Sequence, residues 1–212
     1  QYQALLRMRD HEGFVHTAAE LLPVARRGGL IPALDRWSLD QGLQLLANHQ
    51  RQTRPLRLFI SQCSESLKER DYPAWLASRL QAHGVRSTRL VLDFRCDDVS
   101  DSPRELLHAA PRLKALGVGL SLSGADRSLQ TAQLLDAVAF DYLRLAASIS
   151  ANPGALVPIA HARKMAVIAP QIEDESLIQS LRSHGVDFVQ GNSLAHPARS
   201  LNYSFDGAAA SA

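Results

Sequence analysis

Short, unbroken apolar runs alternate with longer amphipathic stretches along almost the whole chain. The runs Gln3–Met8, Leu56–Ser61, Leu90–Phe94, Val118–Leu122, Tyr142–Leu145, Ala166–Ala169 and Phe188–Gln190 are brief and rich in Leu, Val, Ile and Phe. They lack an in–out alternation, as expected of strands covered on both faces. Helical spacing fills the intervals at about 17–27, 32–50, 71–83, 103–116, 127–138, 152–163 and 174–184. The punctuation agrees: Gly84, Gly117 and Gly185 each stand between a helical stretch and a strand, where a left-handed helix cap is needed. Asp101-Ser102-Pro103 and Glu173-Asp174 have the chemistry of helix starts.

A repeated strand–helix–Gly–strand unit implies parallel strands joined by right-handed crossovers, an α/β fold. Seven strand candidates suggest a (β/α)8 barrel with one strand lost or irregular; a doubly wound open sheet is the alternative on pattern alone. The chain has 212 residues, enough for one such domain, with no linker before the Ala/Ser-rich end. One domain over 1–206 and a frayed tail over 207–212 are expected. The abrupt start at Gln1-Tyr2, without Met, suggests a domain preceded by others in a longer protein.

Composition narrows the function. With 46% hydrophobic residues and a net charge of +2, the chain is not disordered. No apolar run reaches the ~18–20 residues of a membrane span, so no membrane association is expected. Arginine far outnumbers lysine, which occurs only at Lys68, Lys114 and Lys164. That favours planar contacts to phosphate or carboxylate over a diffuse basic surface. No basic block marks a nucleic-acid polymer as partner. Cys63 and Cys96 form neither a CxxC nor a zinc spacing, and read as free thiols in a reducing cytoplasm.

In a parallel barrel, ligands are held at the C-terminal ends of strands. Those positions here carry Arg7, Ser61, Asp93, Ser123 with Gly124, Arg144 with Ala146, Pro170 with Gln171 and Glu173, and Gln190 with Gly191. Only Asp93 and Glu173 are carboxylates, a poor set for one or two hard divalent ions. The glycines of 117–124 precede and interrupt a strand instead of opening a helix, unlike a dinucleotide loop. The serines around Cys63 lack a paired His and acid for nucleophilic catalysis. Arg7 and Arg144 could clamp phosphate, or could pair with a neighbouring carboxylate such as Asp93.

Segment order and spacing then match a known family. Gln3-Ala4-Leu5-Leu6-Arg7, Ala19-Glu20-Leu21-Leu22-Pro23, Gly29-Leu30-Ile31-Pro32-Ala33-Leu34-Asp35-Arg36-Trp37, Arg89–Asp93, Leu116-Gly117-Val118, Phe140–Leu145 and Gly185–Gly191 resemble the EAL domain family. The resemblance covers nearly the whole chain. It implies cyclic di-GMP phosphodiesterase ancestry on a modified TIM (β/α)8 barrel.

The resemblance also implies that the catalytic machinery is gone. The signature metal-binding Glu corresponds to Gln3, and the Asn of the second strand to Ser61. The adjacent Asp pair corresponds to Ser123 and Gly124, the catalytic Lys to Arg144, the Asp after it to Ala146, and a further Glu to Pro170. Neither metal nor hydrolysis is then expected. Cyclic di-GMP binding is expected through Gln3, Leu5, Leu6, the phosphate-binding Arg7, Ala18, Asp35 on a guanine edge, Asp93, Arg144, Gln190, Gly191 and the guanine-packing loop Leu194-Ala195-His196-Pro197. Type IV pilus regulators of the FimX kind are similar, which implies a cytoplasmic receptor with a PilZ-domain adaptor and upstream domains of the same chain. Two readings stand beside it: residual hydrolysis through Asp93, Glu173 and Gln190, and a nucleotide-independent scaffold, kept open by Ser61, Gln62 and Glu65.

Overall fold

The computed structural model describes residues 1–49, 56–101, 103–192 and 194–198. The expected boundary at 206 and the tail 207–212 lie outside the described residues. Seven parallel strands form one sheet, in chain order: β1 (Tyr2–Gln3), β4 (Leu58–Gln62), β5 (Leu90–Arg95), β6 (Gly119–Ala125), β7 (Tyr142–Leu145), β8 (Ala166–Ala169) and β9 (Phe188–Val189). Helices α1 (Ala18–Arg27), α2 (Ile31–His49), α3 (Tyr72–Ala82), α4 (Cys96–Asp101), α5 (Pro103–Ala115), α6 (Leu129–Ala137), α7 (Leu156–Ala162) and α8 (Leu177–Ser183) connect them. The sheet curls until Gln190, just past β9, reaches Gln3 of β1: its Nε2 donates to Gln3 Oε1 at 2.9 Å. This is the barrel-like α/β fold that the sequence predicts.

One predicted element divides. The run Gln3–Met8 is not a single strand. The chain leaves the sheet after Gln3, and β2 (Arg7–Arg9) pairs antiparallel with β3 (Val15–Thr17) as a separate hairpin. Asp10 makes the turn: its Oδ1 accepts from the backbone N–H of Glu12 and Phe14, and Gly13 has a φ of +94°. Gly84, Gly117 and Gly185 do cap helices with positive φ.

Strand register sorts every side chain to one of two faces. Leu58, Ile60, Leu90, Leu92, Phe94, Leu120, Leu122, Leu143, Leu145, Val167 and Ala169 point outward and join the helices in the large core. Gly42 lets α2 lie against this face, since a Cβ there would stand 2.1 Å from Ile60 Cδ1. The alternate residues Phe59, Val91, Tyr142 and Ile168 form a separate apolar cluster inside the curl. The Phe59 and Tyr142 rings meet edge to face there, 4.8 Å apart. Two strand entrances are tied alike. Asp141 accepts from Leu120 N–H (2.8 Å) and holds Lys114, while Asp187 accepts from Val167 N–H (2.7 Å) and faces His161 at 3.0 Å.

Candidate ligand-binding site

Above the inner apolar cluster, the same alternation brings the strand-end residues together. Ser61, Asp93 and Ser121 are register partners across β4, β5 and β6, and Arg144 lies level with Ser123 on β7. Asp93 is 1% exposed and is the only carboxylate on an inward strand position among the described residues. It accepts from Ser61 Oγ at 3.5 Å and faces Arg144 Nε at 3.9 Å. Arg144 is 6% exposed; its guanidinium stands 5.3 Å over the Phe59 ring and donates to Gln190 Oε1. Burial pulls the Arg144 pKa below its ordinary value, and Asp93 opposes that shift. Gln190 completes the chain to Gln3. Four of the predicted residues, Gln3, Asp93, Arg144 and Gln190, therefore form one connected polar group.

The rim is built from two loops. Arg7 is exposed on β2, with Nη1 donating to the Leu6 carbonyl at 2.8 Å; Leu5 beside it is exposed. Ala18 opens α1 behind the hairpin, where Glu20 accepts from the N–H and the hydroxyl of Thr17. On the other loop, Gly191 crosses the backbone of Ile172 so closely that a Cβ would stand 1.7 Å from its carbonyl oxygen. Ile172 N–H donates to Gln190 O, and the N–H groups of Leu194 and Ala195 both return to Gly191 O. That fold-back presents half-buried Leu194 and exposed Ala195, His196 and Pro197. Glu173 is exposed on the loop after β8.

Three of the residues expected at the ligand are buried in the structure. The Asp35 carboxylate is turned into the protein. It is 4% exposed, and Oδ2 accepts from Cys63 N–H (2.8 Å) and Ser66 Oγ (2.5 Å), fastening α2 to the end of β4. Burial pushes its pKa up to about 7, against those hydrogen bonds. Asp35 falls on the buried stripe Ile31, Asp35, Leu39, Gly42, Leu43, Leu46, and that spacing was the missed signal. Asp93 and Arg144, expected as ligand contacts, lie buried beneath the rim and face each other. Sequence reading also missed Ser121 and Phe59, which the period-two alternation along β6 and β4 places in the same interior.

The mouth's donor set does not suit a pair of hard divalent ions. Among the described inward strand-end side chains, the one carboxylate faces a guanidinium, both glutamine amide oxygens already accept a hydrogen bond, and the other oxygens are serine hydroxyls. Elsewhere, Cys63, Glu65 and Asp98 bring ligand atoms within 4.8 Å of one another. Arg26 already ion-pairs with both Glu65 and Asp98, and burial pushes the Cys63 thiol up, toward its protonated form.

The sequence model of the EAL domain family matches residues 1–197. The chain belongs to the EAL domain family. This EAL domain is 26% identical over 210 residues to the uncharacterized 76.5 kDa protein in the phbC 3' region of Thiocystis violacea. It is 21% identical over 206 residues to the cyclic di-GMP phosphodiesterase PdeF of Escherichia coli. Those matches cover 96% and 92% of this chain but only 30% and 28% of the relatives. Among solved structures, the FimX EAL domain of Pseudomonas aeruginosa bound to c-di-GMP has a TM-score of 0.87 at 24% identity, covering 96% of this chain and 86% of that one. The FimX EAL domain of Xanthomonas citri in complex with c-diGMP gives 0.87 at 22%, covering 96% and 84%. At these identities the likeness establishes the fold. No helix among the described residues is long and apolar enough to cross a membrane.

Proposed function

We propose that this EAL domain is a receptor for cyclic di-GMP that binds the dinucleotide without a divalent metal, does not hydrolyse it, and passes its occupancy to a protein partner. The observation that carries the reading is the mouth itself: in the fold shared with c-di-GMP-bound FimX EAL domains, the inward strand ends hold Gln3, Ser61, Ser121 and Ser123 around a single carboxylate already facing Arg144. Hydrolysis needs a polarised phosphate and an activated water, which in metal-assisted phosphoryl chemistry depends on convergent anionic ligands. Binding needs neither. Arg7 can give a phosphate a charge-assisted contact, and the loop 194–197 offers Leu194 and Pro197 as an apolar face for a base. Glu65 would repel an anionic ligand, but Arg26 neutralises it.

The output follows the FimX likeness: a cytoplasmic PilZ-domain adaptor in type IV pilus control, with occupancy read through a partner that prefers the liganded state. Incubating the domain with cyclic di-GMP in Mg²⁺ or Mn²⁺ tests the loss of chemistry. The nucleotide is expected to be recovered intact. Linear pGpG that disappears in Asp93→Ala would establish a phosphodiesterase instead.

A further inference from the structure

We infer that Arg144 is the barrel's resident cation: its guanidinium supplies to Asp93, at a fixed point, the charge that a divalent ion would otherwise bring, and so keeps such an ion out. The inference deepens the receptor reading and draws its significance from it, but its geometry stands alone.

A carboxylate that is 1% exposed must be compensated. Asp93 has the Ser61 hydroxyl at 3.5 Å and Arg144 Nε at 3.9 Å beside it, with Arg95 a more distant positive charge, and its Oδ1 makes no hydrogen bond. Arg144 Nε likewise has no hydrogen-bond partner, and each group is the other's partner in the ion pair. The guanidinium is held from three sides: Asp93 on β5, the Phe59 ring on β4, and Gln190 after β9.

Arg144 also sets the direction of the hydrogen bonds around it. An arginine only donates, so Gln190 must turn Oε1 toward it and Nε2 toward Gln3, and Gln3 must then present Oε1. The two amide oxygens that could serve a hard cation thereby each already accept one hydrogen bond. A divalent ion close enough to bind Asp93 would stand against a permanent like charge held over Phe59 and bonded to Gln190.

Thermal unfolding of the wild type, Arg144→Ala, Asp93→Asn and the double variant, each in EDTA and in excess Mn²⁺, tests this, with free Mn²⁺ followed by electron paramagnetic resonance. The wild type is expected to unfold at the same temperature in both and to leave Mn²⁺ free. Arg144→Ala should lose roughly 10 °C by stranding a buried charge. The double variant should recover most of that, because asparagine needs no counter-ion. If Arg144→Ala does not fold, recovery of a folded double variant carries the same information. Mn²⁺ uptake by the wild type, or a double variant no more stable than Arg144→Ala, would overturn the assignment. Nucleotide takes no part, so a domain that shows this coupling but ignores cyclic di-GMP keeps its resident cation and loses only the receptor reading.

Discussion

Asp35 illustrates how a residue can look like a ligand contact and be a fastening. Its carboxylate is closed between α2 and the turn after β4, with Asp98 and Glu65 adding to the burial that raises its pKa to about 7. The folded domain therefore holds a proton there that the unfolded chain releases near pH 4. Over the window from about pH 4 to 7, stability should fall as pH rises, by up to about 1.4 kcal/mol per unit. Asp35→Asn keeps an acceptor oxygen and cannot titrate. Urea unfolding at pH 5 and pH 8 should show a smaller loss for the variant than for the wild type; equal losses would mean that Asp35 is ionised in the fold. The stripe that buries it was readable from its spacing to Ile31 and Leu39, whereas its partners Cys63 and Ser66, about 30 residues on, were not. Arg144 was legible as a choice between phosphate and Asp93, and the register across β5, β6 and β7 brings it to Asp93.

The strands and glycine caps were legible because burial on both faces and positive φ leave strong marks in sequence. The hairpin was not, although Asp10-His11-Glu12-Gly13 carries its turn. Three apolar residues between Gln3 and Arg7 imitate a continued strand. Yet the hairpin places Arg7 outside the barrel curl, where a ligand could reach it. The loop after β9 has a similar dependence on one position. Gly191→Ala would drive a Cβ into the Ile172 carbonyl and displace the return of Leu194 and Ala195 to Gly191. Cyclic di-GMP affinity should fall by at least about tenfold, the consequence of losing an apolar and hydrogen-bonded subsite. Titration calorimetry on the variant checks this, and unchanged affinity would place the guanine elsewhere.

At the scale of the molecule, a barrel-like fold matches FimX EAL domains at a TM-score of 0.87 with identity of only 24%. In this chain the fold rests on the alternation: apolar residues outward under the helices, a small apolar plug inside, and polar groups at the strand ends. The strand ends here carry a single inward carboxylate among the described residues, and the proposed receptor function rests on that charge. The curl is completed by the side-chain bond from Gln190 to Gln3, which no local pattern announces because 187 residues separate the two. The most direct test is isothermal titration of cyclic di-GMP into the domain in EDTA, with Arg7→Ala beside it. Saturable binding that weakens at least about tenfold in the variant is expected, the scale of one charge-assisted phosphate contact. A flat wild-type titration at tens of micromolar protein would contradict the receptor account and leave a scaffold that works without nucleotide.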